Sequence, residues 1–98
     1  MAIIKSSPRR AAKRRAEMRL YAKVCQQVDE RDGDVCRVCH QPIWTERHHH
    51  HIVYRSRGGK HEASNVIVVC QACHEDIHQK RVTVQGDADY TLTIERHR

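Results

Sequence analysis

The stretch Arg47-His48-His49-His50-His51-Ile52-Val53 sets four consecutive histidines against a β-branched pair. In an extended strand neighbouring side chains point to opposite sides, so adjacent histidines there must take separate roles. A Cys-x-x-Cys pair stands on either side of the run, Cys36 and Cys39 before it, Cys70 and Cys73 after it. His74 and His78 follow the second pair at helical spacing. The strong signals of the chain all converge on this block.

The two cysteine pairs make a four-thiol set. Two residues between paired cysteines let both thiolates reach one tetrahedral ion while nearby backbone amides solvate the sulfurs. The pairs are 30 residues apart, so a structural Zn2+ held by Cys36, Cys39, Cys70 and Cys73 would close a long loop containing the histidines. The competing accounts are disulfides or unrelated core thiols. His40 and His74 each follow a cysteine and are alternative ligands, made superfluous by four thiolates.

The remaining histidines are then surplus to the structural site. His74 and His78 lie four residues apart, so on a helix both imidazoles project from one face. That spacing suits a single ion, with a third ligand drawn from the 48–51 run and positions left open for water and substrate. Open coordination separates catalytic from structural metal sites. Within the run, one histidine can bind the metal while its neighbour faces the substrate, and a neutral imidazole can take a proton from water near pH 7. The plain alternative, an exposed polyhistidine without function, would account for the run alone but not for its partners.

Composition agrees with a metal-stapled domain. The chain has 98 residues, no Phe, five Cys and nine His, enough for one domain with a thin core that needs a staple. No apolar segment follows the basic N-terminus and no stretch has membrane-spanning length, so a cytoplasmic location with no membrane partner is expected. In a reducing compartment cysteine pairs are more often ligands than disulfides. The net charge of +6 is concentrated: residues 1–23 carry +7 and the remainder −1. A basic arm of this kind suits phosphate backbone contact, with Arg10, Arg14 and Arg15 the nearest candidates, although a solvated helix face has the same composition.

The order of elements follows from punctuation. Residues 1–8 read as a flexible basic tail, and Ser7-Pro8 as an N-cap with Pro in the first turn. A helix is expected over 9–31, with Met18, Tyr21, Val24, Cys25 and Val28 as its apolar stripe and Gly33 as a left-handed C-cap. Residues 43–53 suggest a ragged strand or hairpin. Residues 54–64 form a polar loop hinged at Gly58 and Gly59, followed by a buried strand at Val66–Val69 and a helix from Gln71 to Lys80. Period-two alternation around Gly86-Asp87-Ala88-Asp89 marks a C-terminal hairpin within 81–96.

The ordered set Cys36-x-x-Cys39, His50-His51-Ile52-Val53, Arg55-Ser56-Arg57-Gly58-Gly59, Ser64-Asn65-Val66 and Cys70-x-x-Cys73-His74-x-x-x-His78 resembles the HNH endonucleases, most closely the small free-standing four-cysteine type of phages and bacteria. The resemblance covers residues 29–80. It implies a small, zinc-stabilised α+β domain over 9–98, a ββα-metal finger at 35–80 with an N-terminal helix and a C-terminal β-hairpin. By position, His51 matches the general base and Asn65 the loop-bracing Asn. His50, His74 and His78 match the ligands of a catalytic divalent ion, which could be Mg2+, Mn2+, Ni2+ or Zn2+.

The implied activity is hydrolysis of DNA, by nicking or double-strand cleavage, with DNA held mainly through its phosphate backbone. Arg55, Arg57 and Lys60 follow the base in sequence and are candidate phosphate contacts. The alternative is a zinc-stapled nucleic-acid-binding module without catalysis, or a subunit of a phage or bacterial DNA-processing complex. A metal-storage or sensor role leaves Asn65 and the basic helix unexplained. Monomer and dimer both stay open. Two positions depart from the family pattern: Tyr54 stands where Pro is usual, which should loosen the loop entry, and His48-His49 leave a two-residue ambiguity of register.

Overall fold

A computed structural model describes residues 7–97. The expected tail over 1–8 therefore falls, at residues 1–6, outside the described residues. Helix α1 runs Pro8–Asp32. The Ser7 side chain accepts a hydrogen bond from the Arg10 N–H at 3.2 Å, and Pro8 occupies the first turn. Gly33 ends the helix by donating its N–H to the Asp29 carbonyl at 2.8 Å. Its φ of 64° is positive as expected, but its ψ of −148° lies outside the left-handed helical region and is open chiefly to glycine.

A four-residue strand β1, His48–His51, pairs antiparallel with β2, Val66–Val69, with His48 opposite Val69 and His51 opposite Val66. Helix α2, Gln71–His78, follows directly. A second two-stranded sheet joins β3, Val82–Gly86, to β4, Leu92–Arg96. The result is a ββα unit, with a long helix before it and a hairpin after it.

All four residues of β2 are buried because both faces of the strand are covered. Val66 and Val68 pack with Val24 and Val28 of α1. Ile67 and Val69 belong to a larger core with Cys36, Val38, Cys73, Ile77 and the hairpin residues Val82, Val84 and Ala88. The β1–β2 ribbon thus separates α1 from α2, and this separation positions the site.

Three expectations need correction. The apolar stripe on α1 works only at Val24 and Val28. Met18 is 67 % exposed, and Cys25 is half-buried outside both core clusters. A 25-residue helix is about 37 Å long at the standard rise, whereas the molecule measures 50 × 29 × 26 Å, so half the helix projects past the body. Second, within 43–53 only His48–His51 forms a strand, and Trp44 is 90 % exposed. β2 offers just four pairing residues, and the chain before β1 is held instead by the Val35–Pro42 bridge and an Ile43 N–H to Asp34 carbonyl bond. Third, α2 stops at His78, two residues early, where Lys80 adopts a φ of 61°.

Asp32 fastens α1 to the rest. Its side chain, 1 % exposed, accepts from Arg31 at 2.7 Å, from Arg37 at 2.6 Å and from the Val68 N–H at 3.1 Å. Arg31 also donates to the carbonyls of Ala63 and Val66, both at 2.6 Å, and to Asp89 in the hairpin turn at 3.0 Å. Burial works against the Asp32 charge, but the Arg31 and Arg37 guanidinium groups and the Val68 amide outweigh it and hold the carboxyl below its usual range. Among the described residues no helix is long and apolar enough to cross a membrane.

Candidate functional site

The alternation of β1 sorts the four histidines between the two helices. His48 and His50 turn towards α2, and His49 and His51 towards α1. His50 is 4 % exposed, with its ring centroid 5.4 Å from that of His74 and 5.8 Å from that of His78. One turn of α2 separates His74 from His78 and brings their Nε2 atoms to 2.9 Å. Among the described residues, the ligand atoms of His50, His74 and His78 all lie within 4.8 Å of one another. Burial, then the neighbouring His74, His78 and His51, pushes His50 down to about pKa 4, and burial also lowers His74. Both are therefore neutral near pH 7, the form in which imidazole binds a metal.

His48 and His49 have distinct partners. His48 Nδ1 lies 2.9 Å from Nδ1 of His74, on the far side of that ring from His78. His49 Nε2 meets Asp29 of α1 at 2.7 Å. Of the helix pair, His48 reaches only His74, whereas His50 lies against both.

His51 faces the other way. Its Nε2 lies 2.9 Å from Nδ1 of His61, and the Tyr21 ring stacks on it at 5.6 Å and 18°. Burial lowers its pKa, and His61 and Arg55 lower it further. Asn65 sits at the other end of the intervening loop. Its Nδ2 donates to the carbonyls of Val53 at 3.1 Å and Lys60 at 3.0 Å, and its Oδ1 accepts from the Val53 N–H at 2.8 Å. Gly59 is no hinge: a Cβ there would stand 1.8 Å from the Val53 carbonyl oxygen, so the loop closes on itself at a point only glycine allows. Tyr54 has φ −66° and ψ 148°, the conformation a proline would impose, and its ring lies edge-on to His50 and parallel to His78.

The candidate phosphate contacts fall in different places. Arg57 lines a cavity of about 250 Å³ beside His50 and Tyr54, together with Lys80, a cation that sequence reading passed over. Lys60 lines a separate cavity with Asn65. Arg55 donates to the Gly59 carbonyl at 3.2 Å and approaches Glu17 at 3.6 Å, on the His51 side. Arg10, Arg14 and Arg15 lie on the projecting half of α1. Sequence reads Tyr21 only as part of the α1 stripe and Tyr54 only as a departure from the family pattern, and it gives His61 and Lys80 no place in the site.

Cys36, Cys39, Cys70 and Cys73 form the other cluster of possible ligands. No disulfide links them. Cys39 and Cys70 sulfurs stand 4.0 Å apart, close to the roughly 3.8 Å edge of a tetrahedron with metal–sulfur bonds of about 2.3 Å. The Val38 N–H approaches the Cys36 sulfur and the Cys73 N–H the Cys70 sulfur, each at 3.4 Å. Burial disfavours the Cys36 thiolate, but the amides of Cys39, Cys70 and Val38 outweigh it and hold that thiol below its usual range. Four convergent sulfurs with amide donors fit a metal ion, and three convergent imidazoles fit a second.

Residues 36–80 match the family model described as HNH endonuclease. No curated protein and no solved structure matches the chain. The match joins the fold and the metal-ligand clusters to nucleic acid: the domain is of a nuclease or nucleic-acid-binding kind.

Proposed function

Taking the HNH endonuclease domain at residues 36–80 as premise, we propose that the chain is a divalent-metal-dependent DNA endonuclease with His51 as its general base. The observation that carries this reading is the split across β1. His50 joins His74 and His78 within 4.8 Å, while the adjacent His51 stands clear of that cluster against the loop braced by Asn65. A binding module has no use for a ligand and a base on opposite faces of one strand.

Cys36, Cys39, Cys70 and Cys73 hold a structural zinc in this reading, and His50, His74 and His78 hold the catalytic ion. When bound, that ion supplies a Lewis acid at the scissile phosphate and charge stabilisation for the leaving oxygen. His51 takes a proton from water, whose oxygen attacks phosphorus in line with the departing 3′ oxygen. The products carry 5′-phosphate and 3′-hydroxyl ends. Arg57 and Lys80, which share the cavity beside His50, hold the flanking phosphates. Arg10 and Arg14 add contacts to the duplex further out, with Arg15 beside them. The pH 7 charge of these groups favours any phosphate backbone, so little sequence preference is expected.

Supercoiled plasmid incubated with the protein and Mg2+, Mn2+ or Ni2+ tests the reading. Conversion to nicked or linear DNA is expected, with none in EDTA. His51→Ala should slow it by roughly 10²- to 10⁴-fold with circular dichroism and zinc content unchanged. Equal cleavage by both proteins rejects His51 as the base. DNA binding without cleavage under any metal favours the non-catalytic module.

A further inference from the structure

We propose that His61, clamped with His51 under the Tyr21 ring, is a positioning residue that fixes which nitrogen of His51 is basic. This rests on the reading of His51 as the base, and deepens it. His51 Nε2 and His61 Nδ1 face each other at 2.9 Å, so one hydrogen lies between them. If His61 supplies it, neutral His51 carries its own proton on Nδ1 and has no lone pair left to offer water. If His51 supplies it, Nδ1 is free and basic. The working arrangement is the second, with His61 as acceptor.

Several features hold that arrangement. The Tyr21 ring stacks on His51 and lies 4.9 Å from His61 at a tilt of 43°, so one side chain from α1 restrains both imidazoles. A hydrogen bond to Cys25 ties Tyr21 in turn, and burial pushes its phenol up to about 12, so the ring stays neutral. Burial and the nearby Arg55 lower His61, which keeps it unprotonated and able to accept, though Glu17 pulls the other way. Asn65 reaches the pair through the backbone: its Nδ2 holds the carbonyl of Lys60, the residue before His61. The bracing Asn thus orients the base by way of His61. When water gives its proton to Nδ1, His51 becomes an imidazolium whose Nε2–H still points at neutral His61. The same hydrogen bond becomes charge-assisted and strengthens. The proton leaves to solvent after turnover.

The test uses the zinc-replete chain with His51→Ala, His61→Ala, His61→Asn and the double variant His51→Ala/His61→Ala. Single-turnover cleavage and DNA affinity are measured separately. His61→Ala should lose about 100-fold in rate, the scale of a displaced reacting group, with DNA affinity unchanged. His61→Asn, which puts an amide oxygen near the former Nδ1, should recover most of the rate. The double variant should be no slower than His51→Ala. Long-range nitrogen–proton NMR of the metal-free histidine site should show His51 protonated at Nε2, and a tautomer mixture in His61→Ala. Wild-type rate in His61→Ala beside an inactive His51→Ala overturns the proposal, as do losses that multiply in the double variant. An active His51→Ala instead rejects the reading of the base itself.

Discussion

The two ligand clusters share helix α2 but are supported in opposite ways. The cysteine cluster takes its outer contacts from backbone: the Val38 and Cys73 amides point at sulfur, and the knuckle donates its Arg37 N–H to the Val68 carbonyl. Cys36 and Cys73 sit inside the main core. The histidine cluster takes its outer contacts from side chains, with His48 on His74 and Tyr54 across His50 and His78, and His78 is exposed. A site closed by backbone and core is a part of folding. A site bordered by side chains at the surface can gain and lose an ion, water and substrate without disturbing the fold.

The largest effect should come from setting the two against each other with Cys73→Ser and His78→Ala. Structural zinc supplies on the order of 10 kcal/mol of folding free energy, more than a small domain has in reserve. Cys73→Ser should therefore give an unfolded, zinc-free chain by circular dichroism and elemental analysis. His78→Ala should stay folded with one zinc per chain and lose only the second ion. A folded Cys73→Ser protein would show that the thiolates are no more structural than the imidazoles.

Next comes Asp32, which joins both halves of the contrast because it fastens α1, on the His51 side of the ribbon, to the cysteine knuckle through Arg37. Removing one partner from a buried, hydrogen-bonded ion pair costs about 3 kcal/mol or more, so Asp32→Asn should lower stability by that order in urea unfolding. The sign with pH follows from the lowered carboxyl. The unfolded state binds the proton first, so the contribution is present above the ordinary value of 3.8 and is lost as pH falls through the lower folded value. The gap between wild type and Asp32→Asn should close under acid, below about pH 4.

Sequence made the cysteine cluster and the candidate histidine ligands legible for one reason: their chemistry is written in spacing. Cys-x-x-Cys and His-x-x-x-His encode local geometry, and the run before Ile52 encodes a strand. The seat of the proposed base is not local. Tyr21 lies 30 residues before His51, and its place on the α1 stripe reads only as core; His61, ten residues after it, is a single histidine in a polar loop and carries no periodic mark. The acceptor role of Asp32 depends on Val68 arriving from 36 residues away. Met18 failed for a different reason, since a stripe predicts a buried face only as far as there is a body to bury it.

The smallest effect, and the finest test of the contrast, belongs to His48. Its Nδ1 meets His74 Nδ1, while His74 Nε2 faces His78 and is the nitrogen free to bind an ion. A hydrogen bond at the far nitrogen fixes the tautomer and ring angle of a ligand, and its loss typically costs 10- to 100-fold in metal affinity. His48→Ala should therefore weaken divalent-ion binding at the histidine cluster by about tenfold, the lower end because that edge is half-buried and water can replace the lost partner. Calorimetric titration of the zinc-replete protein reads this directly, and the cysteine-bound zinc should not change. The described contacts to the cysteine sulfurs come from main-chain amides, which survive any side-chain change except to proline. Equal loss at both clusters would mean that His48 supports the strand as a whole, and that side-chain and backbone support cannot be separated in so small a domain.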